Sequence, residues 1–283
     1  MSDIVIYIFF FLIGACIGSF LNVVIYRVPN ELSLMTGSAC PSCKGPIKFY
    51  HNIPILGWLM LGGKCRDCKS PISLRYPVIE LLTAVLFVIV YWQIGLSPYL
   101  PVALTFVPTM LALIFIDAEH MILPNVITIP LFVIALIVRI AFPLFLSQNY
   151  FSDLSQWPLD LLQGYPFWMR SVAGALLGAM AGGGSLWLVG EIWKRIRGVE
   201  AMGFGDVKMM LGVGALLGWP LAIVAIFLGA FTGAAAGASM IIVRRDKNLQ
   251  TLIPFGIFLG TGSIVSMLFG ERMIAWYFGT FVR

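Results

Sequence analysis

The chain has 283 residues, of which 60% are apolar and only 11% charged. An average soluble domain carries roughly 25% charged residues, so a water-soluble globular enzyme is excluded and an all-α polytopic membrane protein with about eight transmembrane helices is expected. Five cysteines, four of them in two CxxC pairs, exclude a disulfide-stapled secreted scaffold, and the net charge of +5 requires no nucleic-acid partner, because basic residues in a membrane protein set its orientation.

The first apolar run, residues 4–26, is too long for the core of a signal peptide and lacks a small-residue cleavage pattern, so it is expected to persist as the first helix. Cys16 within it reads as a small packing residue. A polar loop, 27–76, follows. Seven further apolar runs are predicted as helices at about 77–95, 99–117, 124–145, 167–192, 205–218, 220–243 and 253–270, and the tail ERMIAWYFGTFVR is expected to lie along the interface. The implied division is a first helix (1–26), a loop domain (27–76) and a multi-span membrane domain (77–283). No internal repeat is expected.

The loop holds CPSCKG and KCRDCKS, with 21 residues between the pairs. Cys40, Cys43, Cys65 and Cys68 are thus expected to close a tetrahedral four-thiolate zinc site, structural because no coordination position is left for water. Threading the spans alternately through a bilayer puts 27–76, 118–123, 193–208 and 244–252 on one side. These segments carry most of the 18 Lys and Arg residues, so that side is expected to be cytoplasmic.

The same threading brings two carboxylates to one depth. Asp117, in FIDAEH, ends the third span, and Asp206, in GFGDVK, begins the sixth. Acids in a membrane segment cost about 2.5–3.5 kcal/mol each and mark function by default. Two close carboxylates sharing a proton can activate water and protonate an amide, the chemistry of an aspartic protease. Gly203 and Gly205 would admit a substrate strand beside Asp206, and a helix starting at Asp206 would favour its charge. Lys208 reads either as an interfacial anchor or as a group that tunes the carboxylate. A proton or ion transporter with an Asp relay is the alternative, but a relay needs acids at several depths.

Six stretches in order carry a resemblance that covers nearly the whole chain: GSFLNVVIYRVP (18–29), CPSCKGPI (40–47), NIPILGWLMLGGKCRDCKSPISLRYPVIELLTA (52–84), FIDAEHMILPN (115–125), GFGDVKMMLGVGALLGW (203–218) and IPFGIFLG (253–260). The chain resembles the bacterial type IV prepilin peptidases, which are inner-membrane leader peptidases and N-methyltransferases. The resemblance implies that Asp117 and Asp206 are the catalytic pair of a GxGD-type aspartic protease. It implies prepilin or pseudopilin substrates cut after Gly, and methylation of the new amino terminus with S-adenosylmethionine. Glu80, Gly62 and Gly63 are the candidate residues for the methyl-donor site.

Overall fold

The computed structural model describes residues 2–145, 164–199, 202–244 and 254–281. Residues 146–163, between the helices predicted at 124–145 and 167–192, and Arg245 and Lys247 of the basic segment 244–252, lie outside the described residues. Ten helices are described: α1 (Ser2–Arg27), α2 (Leu56–Met60), α3 (Arg75–Ile94), α4 (Leu100–His120), α5 (Asn125–Phe145), α6 (Phe167–Ala179), α7 (Ser185–Arg197), α8 (Phe204–Leu217), α9 (Trp219–Arg244) and α10 (Phe255–Phe281). A π-helical turn, Met180–Gly184, joins α6 to α7, so the two form one run. Among the described residues there are seven runs long and apolar enough to cross a membrane.

The predicted sixth span is the exception. At 14 residues α8 is about 21 Å long, short of a hydrocarbon core of about 30 Å. From Asp206 to Leu217 nearly every residue is buried, the mark of a helix enclosed by others rather than facing lipid. The predicted tail also differs, because α10 runs unbroken to Phe281 and makes no separate surface helix.

The chain divides into two compact units, Met1–Ala112 and Leu113–Arg283. In the first, α1 packs along α3. Gly14 and Gly18 permit the approach: a side chain on either would come within 2.7 Å of the α3 backbone at Ala84 or Glu80. Asn22, buried in the same seam, donates to the carbonyls of Gly18 and Tyr76 at 3.2 and 3.1 Å.

In the second unit α5, α6, the π turn, α9 and α10 pack against α8. Contact is backbone to backbone at Gly178 and Gly214, where a side chain on either would overlap the other's carbonyl. The far end of α8 stops at Gly218, and its last carbonyls find a donor in the buried Arg139 of α5. Arg139 Nε donates to Ala215 O at 3.1 Å and Nη2 to Leu216 O at 2.9 Å. A helix end enclosed in protein needs such a partner, and this one comes from the middle of an apolar sequence.

Candidate active site and metal centre

Among the described residues, the cysteines gather in the first unit and the two aspartates in the second. In the first unit the CxxC pairs close two knuckles of one build. Cys40 N–H donates to Gly45 O and Lys44 N–H to Cys40 O, both at 2.9 Å; Cys65 N–H donates to Ser70 O at 2.8 Å and Lys69 N–H to Cys65 O at 3.1 Å. Lys44 and Lys69 both take left-handed backbone angles, φ 58 and 61, and Ala39 bridges to Pro46 as Lys64 does to Pro71. The expectation of no internal repeat is therefore corrected. CPSCKGPI and CRDCKSPI are copies of one unit set 25 residues apart, short beside the apolar spans that dominate the composition.

The four Sγ atoms lie within 4.8 Å of one another, and those of Cys40 and Cys68 are 3.8 Å apart. Sulfurs about 2.3 Å from a tetrahedral zinc stand about 3.8 Å from each other, so donor type, number and spacing fit a zinc ion. The backbone amides of Cys43 and Ser42 hold the Cys40 thiol down to about 6. Cys43 receives the Gly45 amide, yet the neighbouring Cys40 and Cys68 sulfurs push it up to about 11. The Ser70 hydroxyl and amide lower Cys68. Four crowded sulfurs cannot all ionise cheaply without a cation among them.

The other residues singled out in this unit have local partners. Glu80, buried on α3, accepts from Ile55 N–H at 2.6 Å and from the Ser19 hydroxyl. Gly62 and Gly63 form the turn after α2 at φ 60 and 67, and Gly63 lies against the Trp58 ring. All three thus shape the loop.

In the second unit Asp117 sits in the last turn of α4 and Asp206 in the first turn of α8, each 6% exposed. The helix begins at Phe204 with Gly203 as its cap, so Asp206 is not the residue that opens it; its carboxylate reaches back to accept from Gly203 N–H. Asp117 Oδ2 accepts from Ile257 N–H at 3.2 Å, at the start of α10. The two carboxylates meet at Gly256. A methyl group there would lie 2.7 Å from Asp117 Oδ2 and 3.2 Å from Asp206 Oδ1, so the oxygens are no further apart than those lengths laid end to end.

Gly256 is not among the residues that the sequence singles out; it lies in IPFGIFLG, a stretch that carries the family resemblance without placing that glycine beside the carboxylates. Gly205 has a packing reason, since a side chain would meet Leu123 at 2.8 Å, and Gly203 has ordinary extended angles with open space beside Asp206. Lys208 does not touch the pair: its ammonium donates to Asn125 Oδ1 at 2.8 Å and sits over the Phe204 ring, tying α8 to the start of α5. Glu119 and His120 are exposed.

Two family descriptions match the chain: the Bacterial Peptidase A24 N-terminal domain over residues 12–94 and the Type IV leader peptidase family over residues 104–238. Similar proteins named prepilin leader peptidase/N-methyltransferase include one from Aeromonas salmonicida, 34% identical, with 95% of this chain and 93% of that one aligned. One from Pseudomonas aeruginosa is 33% identical over 94% and 91% of the two chains, and one from Neisseria gonorrhoeae is 36% identical over 82% and 81%. No solved structure matches at a significant level.

Proposed function

The chain belongs to the type IV leader peptidase family, and on that footing we propose that Asp117 and Asp206 are its catalytic pair. The protein is a prepilin peptidase with N-methyltransferase activity. It cuts the basic leader from a type IV prepilin or a type II secretion pseudopilin after Gly, then methylates the amino group of the new first residue, usually Phe. The observation that carries the peptidase assignment is the meeting of two buried carboxylates over a residue that has no side chain.

Two carboxylates this close hold one proton between them. The ionised member takes a proton from water as the oxygen bonds to the scissile carbonyl carbon. The protonated member gives its proton to the amide nitrogen as the C–N bond breaks. Ile257 N–H fixes Asp117 and Gly203 N–H fixes Asp206, so both oxygens are held in place before substrate arrives. The bare Cα of Gly256 leaves the substrate backbone room to approach.

Methyl transfer belongs, on this reading, to the first unit. The four cysteines hold a structural zinc ion that rigidifies the loop, and S-adenosylmethionine supplies the methyl group when bound. Zinc loop and aspartates face the cytoplasm, the side to which the basic segments point and on which a prepilin leader lies.

The test is incubation of the purified protein in lipid with a prepilin, with and without S-adenosylmethionine, followed by mass measurement of the product's amino terminus. Loss of the leader in both samples and one added methyl group only with the donor is expected. An uncut substrate, or a leader lost at another bond, would overturn the reading.

A further inference from the structure

The short helix α2 lies deeper than a solvated loop should. Ile55, the residue just before it, donates its N–H to Glu80 Oε2 at 2.6 Å. Glu80 is the sixth residue of α3, a helix of 20 residues. Such a helix is about 30 Å long, barely the thickness of the hydrocarbon core, so α3 has almost no length to spare outside the bilayer. Glu80 then lies roughly 7 Å along it from Arg75. The contact is rigid as well as deep: Gly18 of α1 backs Glu80 at close range, and Asn22 of α1 binds the Tyr76 carbonyl one turn above.

At that depth α2 has two unlike sides. Inward, Gly57 presses on the His51 carbonyl and Trp58 Nε1 donates to Ile72 O at 3.1 Å, joining the helix to the second knuckle. Outward, Leu56, Leu59 and Met60 are 55, 59 and 70% exposed. In water that side would be an uncovered apolar patch. The loop's Lys48, Lys64 and Arg66 are exposed too, and long basic side chains beside an apolar face are the composition of an element seated among lipid headgroups.

We propose that α2 is a lipid-inserted anchor. Leu56, Leu59 and Met60 enter the acyl boundary of the leaflet on the zinc-loop side, and Lys48, Lys64 and Arg66 reach the phosphates. The knuckles thereby rest on the membrane surface instead of hanging free. The occupant is phospholipid because the Ile55–Glu80 bond sets the patch at bilayer depth and the neighbouring charge is positive. The inference needs only that α1 and α3 cross a membrane, so it stands or falls separately from the peptidase chemistry.

The test uses the full chain in vesicles of phosphatidylethanolamine and phosphatidylglycerol. A photoreactive benzoylphenylalanine replaces Leu59 or Met60, with Met35, 95% exposed, as the comparison position and retained zinc as the check on folding. Lipid adducts at 59 and 60, about fivefold above those at 35, are expected. Adducts to a second copy of the chain, equal yields at all three positions, or no lipid adduct would overturn the proposal. A second measurement needs no variant. Under hydroxyl radicals Met60 of the unaltered protein in vesicles is expected to oxidise about fivefold more slowly than Met35, which is 95% exposed; equal rates would overturn it.

Discussion

Gly256 shows how a single absent side chain can define a site. Its Cα faces both carboxylates, so Gly256→Ala puts a methyl group within 2.7 Å of Asp117 Oδ2 and forces the pair apart. A displacement near 1 Å at reacting groups costs about 100-fold in rate; leader cleavage is expected to fall by about that factor while zinc content stays unchanged, measured on one preparation. The cysteines make a separate residue-scale prediction. Cys43, held near 11, keeps its proton at pH 7 until a metal arrives, whereas Cys40, near 6, has mostly lost its own. Zinc uptake therefore releases protons and strengthens with pH, about tenfold per unit for each proton released. As pH falls through 6 Cys40 also protonates, and affinity drops further. Competition with a chromophoric chelator between pH 5.5 and 8 measures this, and a pH-independent affinity would contradict it. The aspartates and the cysteines were legible in the sequence because charge in hydrocarbon and paired CxxC are rare; Gly256 was not, because glycine is common in membrane helices and its role depends on what it faces.

Among the elements, α8 carries Asp206 and departs furthest from what its sequence predicts. Its apolar run resembles a membrane span, but enclosure by neighbouring helices replaces lipid with protein and permits a length of only 14 residues. Sequence hydropathy cannot distinguish a helix buried in protein from one buried in lipid, since both are apolar all round. Both ends of α8 are instead tied to α5 by polar groups: its own Lys208 donates to Asn125 near the start, and Arg139 donates to the carbonyls of Ala215 and Leu216 at the finish. Arg139→Met is expected to orphan those carbonyls at roughly 1–3 kcal/mol each. Thermal unfolding in lipid should show the loss, and Arg139→Lys should recover part of it. Gly178→Leu is expected to be worse, because the Gly178–Gly214 contact leaves no room for any side chain; poor folding of that variant, read by retained zinc and by proteolysis, is the expected result.

At the scale of the whole chain, seven of the eight predicted helices appear near their expected places as single helices or joined runs long enough to span, and α8 is the eighth. Chain order and hydropathy suffice for that much, because a bilayer dictates the length of every element that crosses it. The grouping of helices was harder to read. The compact units meet at Ala112 and Leu113, inside α4, where no Pro, Gly or charge marks a break in the sequence. The cysteine loop shares a unit with both helices that flank it. Division of labour between units predicts that Cys65→Ser impairs methylation much more than cleavage; equal loss of both would show that the loop supports the entire protein.

On this proposal Asp117 and Asp206 act as one device, and a pair of matched assays addresses that directly. Asp117→Asn and Asp206→Asn proteins are each given an intact prepilin and, separately, a prepilin already freed of its leader, with S-adenosylmethionine in both. Intact substrate should remain uncut by either variant, at least about 1,000-fold below the unaltered protein, while the freed amino terminus is still methylated. Normal leader removal by either variant would contradict the pairing of these carboxylates.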